Sequence, residues 1–271
     1  MLNGVSLFSG VGGLELALHE EVKTVAYCEQ DSYAQAVLIK RMQEGQLDSA
    51  PIFDDVRTFP SRQYVGAVDI VFGGFPCQDI SVAGKGAGIK EGTRSGLWFE
   101  MLKIICEVRP TFVFLENVSA ITGRGVSTVL SGLVETGYNC RWVSIRASDV
   151  GARHRRERWF CLAYTNSDML RQQPLRCDTP LGKKDVAYSF HSCNDRGKRQ
   201  CEGGKFPNNQ FSMESQTMWD KDPADFDCSS ESFVGRVADG IPQRVDRLKC
   251  LGNAVVPQQA RKAWKILTNN L

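Results

Sequence analysis

Residues Val5 to Leu18 constrain the fold of this chain more than any other stretch. Val5-Ser6-Leu7-Phe8 has the character of a buried strand, Ser9-Gly10-Val11-Gly12-Gly13 is a tight turn, and Leu14-Glu15-Leu16-Ala17-Leu18 opens an amphipathic helix. A strand that passes through a glycine turn straight into a helix begins a nucleotide-binding α/β domain, because the glycines let backbone approach a ligand at the helix N-terminus. The turn is not G-x-G-x-x-G, which makes a pyrophosphate-binding dehydrogenase the weaker reading. A second strand, Thr24-Val25-Ala26-Tyr27-Cys28, ends at Glu29. That acid stands about 20 residues past the first glycine, where such folds hold ribose hydroxyls.

The run Val68-Asp69-Ile70-Val71-Phe72 reads as another buried strand, stopped by Gly73-Gly74-Phe75-Pro76. It sets Cys77 at the carboxyl edge of the sheet, where open α/β folds carry their chemistry. A cysteine there is either a nucleophile, whose thiolate adds to electron-poor carbons, or one more small buried residue. Leu97 to Val108 has the period of a buried helix, and Thr111-Phe112-Val113-Phe114-Leu115 reads as a strand ending in Glu116-Asn117-Val118. A right-handed crossover makes these two strands neighbours and brings Glu116 beside Cys77. Thiol and carboxyl side by side form a catalytic pairing; the alternative is a solvated glutamate at a strand end. Between Gln78 and Ser95 the glycines and Lys85, Lys90 and Arg94 suit a lid over Cys77, or else a plain surface loop.

Elsewhere, Ser32 to Met42 reads as a helix, and the acids of Ile52-Phe53-Asp54-Asp55-Val56 either meet an adenine amino group or cap the next turn. Tyr138–Ile145 and Arg158–Tyr164 look like two further strands. The segment joining them places four arginines within six residues (Arg153, Arg155, Arg156, Arg158), suited to a phosphate or to a carboxylate such as Glu116. His154 has no second ligand at metal-binding spacing. From Thr165 to about Gly240 apolar periodicity fades and polar and basic residues gather, as in an inserted recognition module. Order returns at Gly235, and Leu251-Gly252-Asn253-Ala254-Val255-Val256-Pro257 leads into a final helix that carries Trp264 toward the core.

Composition excludes little. The 271 residues suffice for one large domain with an insert, and a net charge of +2 neither demands nor forbids a nucleic-acid partner. No apolar run approaches the roughly 20 residues of a membrane span, and no signal peptide opens the chain, so a cytoplasmic protein is expected. The ten cysteines are dispersed and read as reduced thiols. Cys177, His191, Cys193, Cys201 and Cys228 suggest zinc only until their spacing is checked: they contain no C-x-x-C pair. No metal is expected.

Taken together, Leu7-Phe8-Ser9-Gly10-Val11-Gly12-Gly13, Glu29, Asp55, Gly74-Phe75-Pro76-Cys77-Gln78, Glu116-Asn117-Val118, Arg156-Glu157-Arg158 and Gly252-Asn253-Ala254-Val255 resemble the DNA (cytosine-5)-methyltransferases of bacteria and their phages. The resemblance covers positions 1 to about 164 and 248 to 271. It implies a Rossmann-like sheet with helices on both faces, a discontinuous catalytic domain of residues 1–164 and 241–271, and a target-recognition region at 165–240. It also implies S-adenosylmethionine as methyl donor, held at Phe8, Gly10, Gly12, Gly13, Glu29, Asp55, Val56, Pro76, Leu97 and Asn253. Cys77, Glu116, Arg158 and Arg156 become the catalytic set, acting as a monomer on double-stranded DNA in a bacterial or phage-infected cell, with a restriction endonuclease as companion. Three departures stand out: the insert is short for a target-recognition region, the arginine-led block that usually precedes the final Gly-Asn has no match beyond the candidates Arg236, Arg244 and Arg247, and His154 stands where many relatives have glutamine. A tRNA-directed relative and a catalytically silent DNA-binding homologue are the rival readings.

Overall fold

A computed structural model of the chain describes residues 1–76, 96–165, 252–269 and 271. β1 (Leu2–Leu7) leads through the glycine turn to α1 (Gly13–Leu18), and β2 (Val22–Cys28) leads to α2 (Ser32–Gln43). The short β3 (Ile52–Phe53), β4 (Ile70–Gly73), α3 (Leu97–Val108), β5 (Phe112–Val118), α4 (Ile121–Arg124) and α5 (Val126–Glu135) follow. β6 (Asn139–Arg146), β7 (Glu157–Tyr164) and the last helix, α6 (Pro257–Thr268), complete the described elements. The strands form one seven-stranded sheet in the order β3-β2-β1-β4-β5-β7-β6. β1 to β5 are parallel, whereas β7 lies antiparallel between β5 and β6.

Alternation along the strands supplies two apolar faces, each covered by helices. Val5, Leu7, Val71, Val113 and Leu115 face Trp98, Met101 and Ile105 of α3 and Val129 and Leu133 of α5. Their neighbours Ile70, Phe72, Phe114, Phe160 and Leu162 face Leu14 and Leu18 of α1 and Ala260, Ala263, Trp264 and Leu267 of α6. Phe114 and Phe160 stack at 5.9 Å, and Trp264 meets Phe114 edge-on at 5.4 Å. Each such side chain contributes about 1.5–3 kcal/mol by leaving water. This is the Rossmann-like arrangement, helices on both faces of a mostly parallel sheet.

α6 forms because Pro257 occupies its first turn and its apolar residues recur at i, i+3, i+4 and i+7. Arg141 of β6 closes its far end, donating to the Asn269 carbonyl at 2.9 Å. Chain order reverses on either side of β1, which puts a crevice at the carboxyl ends of β1 and β4. Among the described residues no helix is long and apolar enough to cross a membrane. The lid expected at Gln78–Ser95, Cys77 itself, the insert beyond Thr165 and the cysteines weighed for zinc lie outside the described residues.

Candidate active site

The carboxyl ends of β1, β2, β4 and β5 open onto a cavity of about 950 Å³. One wall is the turn after β1. Phe8, Gly10 and Gly12 all have positive φ (58°, 55° and 84°), which folds the turn back on itself. Its amides are then shared out: Ser9 N donates to Cys28 O at 3.1 Å, Gly10 N to Glu29 Oε2 at 2.7 Å, and Gly12 N to Ser9 O at 3.0 Å. Glu29 Oε1 accepts from Asp31 N at 2.8 Å, so this carboxylate ties the turn to the start of α2. Each of its oxygens keeps a lone pair for a ligand hydroxyl. Arg41 of α2 holds the turn from behind, Nη1 donating to Val11 O at 2.6 Å.

Phe8, Gly10, Gly13, Glu29, Asp55 and Val56 line the cavity on this side; Gly12 lies beneath it, buried against Leu47. Of the two roles open to Asp55, the cap is present: Oδ1 accepts from Arg57 N at 2.9 Å, and the residue still borders the cavity. A residue the sequence did not single out sits below the turn. Glu15 is 3 % exposed, and its Oε1 accepts from Ser6 Oγ at 2.5 Å. Burial pushes its carboxyl up to about 7, against the hydrogen bond from Ser6. Its one signal in the sequence is a lone charge inside an apolar run, in a short helix of which every residue but Leu16 is buried.

The opposite wall comes from β4, β5 and β7. Gly74, Phe75 and Pro76 follow β4, and Asn117 Nδ2 donates to Phe75 O at 3.1 Å, fixing that segment to the end of β5. Glu116 Oε1 meets Arg158 Nε at 2.9 Å, with side-chain exposures of only 13 % and 15 %. A Cβ on Gly74 would come within 2.7 Å of Glu116 Oε2, so glycine is what lets this carboxyl stand against the β4 backbone. Burial raises the Glu116 pKa; the positive charges of Arg158 and then Arg156 pull it back. The antiparallel pairing of β7 on β5 is the cause of the ion pair, since Arg158 registers opposite Val118.

Leu97 and Asn253 complete the rim, Asn253 from the exposed segment that returns at Gly252. Arg156 does not line the cavity: its Nη2 donates to Gly252 O at 2.8 Å and to Ala254 O. Arg153, His154 and Arg155 are exposed. The described residues thus gather nearly all of the sequence-derived set around one crevice, a carboxyl in a dry, cationic setting on one side and a hydroxyl-accepting carboxylate on the other. Among the described residues, no group of His, Cys, Asp and Glu is placed to hold a metal ion.

Comparison with known proteins accounts for this combination. Residues 2–233 match the family model of C-5 cytosine-specific DNA methylases. The type II methyltransferase M.CviJI of Paramecium bursaria Chlorella virus IL3A is 36 % identical over 160 residues, 59 % of this chain and 42 % of the relative. M2.BsuMI of Bacillus subtilis is 37 % identical over 168 residues, 59 % of this chain and 41 % of the relative. The chain therefore spans less than half the length of either protein. A crystal structure of a candidate DNA modification methyltransferase encoded within an E. coli prophage superposes with a TM-score of 0.50 at 25 % identity, over 62 % of this chain and 48 % of that one. The family model covers most of the sequence, and the chain belongs to the C-5 cytosine-specific DNA methylase family.

Proposed function

We propose that this protein transfers a methyl group from S-adenosylmethionine to C5 of cytosine in double-stranded DNA. The observation that carries the reading is the Glu116–Arg158 pair at 2.9 Å on the same cavity that Glu29 and the glycine turn border. The donor fits what is there. A cavity of about 950 Å³ is at the upper end of the usual range for small-molecule sites, a Cβ on Gly10 would meet nothing within 4 Å, and Glu29 has lone pairs to spare for ribose hydroxyls. When bound, S-adenosylmethionine supplies an electrophilic methyl group on a positively charged sulfur.

Cytosine C5 is a poor nucleophile, and the residues of the chain answer that problem. Cys77, bonded to cavity-lining Pro76, adds its thiolate to C6, and the electron pair of the C5=C6 bond moves toward C5 and N3. Glu116, whose pKa burial raises, hydrogen-bonds or protonates N3 as charge builds there, and Arg158 holds that carboxyl in place. Once C5 carries the methyl group, the donor's sulfur having kept the electron pair of the broken bond, the C5 proton leaves to a base, N3 gives any proton back to Glu116 and the C6–S bond breaks, restoring the double bond and the thiolate. A stacked cytosine does not expose C6, so the base is turned out of the duplex to react. In this reading residues 1–164 and 241–271 perform the chemistry, and 165–240 choose the DNA sequence.

Bisulfite sequencing of DNA from cells expressing the gene tests the reading. Wild type is expected to protect cytosines in one sequence context, and Cys77→Ser to protect none while still binding DNA. Methyl transfer to tRNA with none to duplex DNA overturns the choice of substrate, and full activity of Cys77→Ser overturns the covalent step.

A further inference from the structure

Behind the cavity, two distant parts of the chain hold each other. Gln259, in the first turn of α6, is 0 % exposed. Its Nε2 donates to Arg156 O at 2.9 Å and to Ile145 O, so one side-chain amide spans the end of β6 and the approach to β7. Arg156 returns the contact, its guanidinium donating to Gly252 O and Ala254 O on the segment that leads into α6. An apolar side chain would serve the core at this helical position. A buried amide is retained at a cost, its Oε1 lacking a partner among the described residues, and its Nε2 ties the Ile145 carbonyl to the Arg156 carbonyl, which also accepts from Ala147 N at 3.3 Å.

What this reciprocal latch holds is the donor side of the cavity. Asn253, Ala254 and Val255 line it, and Val255 lies so close to α1 that a Cβ on Gly13 would fall 2.7 Å from Val255 Cγ1. Two residues beyond Arg156, Arg158 grips Glu116. We propose that Gln259 is a positioning residue for the methyl donor: through Arg156 it seats residues 252–255 against the glycine turn and so shapes the donor's half of the cavity. The inference rests on the methyl-transfer reading above and adds to it a residue that touches neither donor nor base.

The test uses full-length Gln259→Met, which keeps length and volume and removes both donated hydrogen bonds. Steady-state kinetics with tritiated S-adenosylmethionine and unmethylated plasmid DNA are expected to show a donor KM raised about tenfold, with the KM for DNA within about twofold of wild type. Calorimetric titration with S-adenosylhomocysteine should lose affinity by the same factor. Arg156→Lys, which keeps the charge but removes the Nη2 group that reaches both carbonyls, should shift the donor KM in the same direction, and it decides the matter if Gln259→Met does not fold. An unchanged donor KM in a folded variant, or donor and DNA KM rising together in step with a fall in Tm, overturns the inference. Wild-type protein that binds no S-adenosylhomocysteine and methylates no DNA overturns the underlying reading instead, and the inference with it.

Discussion

At Glu15 a single carboxyl is shut beneath the glycine turn with one oxygen on Ser6 and the other, Oε2, without a partner among the described residues. In the unfolded chain it loses its proton near the ordinary value of 4.5; in the fold it keeps the proton up to about 7 because burial disfavours the charge. Between those values the native state binds more protons than the unfolded one, so stability falls as pH rises through the window and levels off above it. The gap corresponds to about 3 kcal/mol. Glu15→Gln keeps the shape and removes the titration. Its Tm relative to wild type is therefore expected to rise on going from pH 5 to pH 8, and a difference that stays constant with pH contradicts this account. The same residue shows where sequence reading stops at this scale: a charge within Leu14 to Leu18 reads as the wet side of a helix, and only tertiary packing reveals that Leu16 is the more exposed of the two.

Elements were legible in proportion to how far their apolar pattern departed from that of a loop. β4 and β5 are continuous Val, Ile and Phe runs, and α3 was readable from Leu97 to Val108 to the residue. α5 went unread although Val126, Val129, Leu130, Leu133 and Val134 keep the helical period, because it opens without a capping side chain and carries the weak helix formers Thr128 and Gly132. Gly132 is nonetheless in place, since a Cβ there would come within 2.8 Å of Leu102 Cδ2: it allows α5 to lie close on α3. β7 was read as a strand, but its reversed direction was not, as periodicity carries no sign of polarity. α2 owes its start to Asp31, whose Oδ1 accepts from Tyr33 N at 3.0 Å and Ala34 N at 3.1 Å, while its own amide binds Glu29. Asp31→Ala should cost about 1 kcal/mol in urea unfolding, seen as a lower midpoint at constant slope. Since Arg41 on the same helix holds Val11, affinity for S-adenosylhomocysteine should fall as well. A loss of stability with donor affinity untouched would separate the helix from the turn.

For the molecule as a whole, the glycine turn, Glu29, Glu116, Arg158 and Asn253 come from segments up to 244 residues apart in sequence, and the sheet converts that order into one crevice. The pairing of β4 with β5 was legible because a right-handed crossover makes two such strands neighbours, whereas the switch point between β1 and β4 was not. The closing of the cavity by residues 252–255 was not, since it depends on Arg156 and Gln259 meeting across β6 and β7. A cavity assembled from both ends of the chain links ligand binding to global stability: a ligand that binds only when β1, β5, β7 and the return segment are in place stabilises the fold as a unit. S-adenosylhomocysteine at about 100 times its Kd should contribute about 2.7 kcal/mol. In a domain of this size that amounts to a rise in Tm of about 5–10 °C. NAD at the same concentration should give no rise, because the turn lacks the G-x-G-x-x-G spacing that brings backbone amides to a pyrophosphate. Differential scanning fluorimetry with the two ligands side by side makes the comparison; a shift with NAD and none with S-adenosylhomocysteine would assign the crevice to a dinucleotide and remove the methyl donor from it.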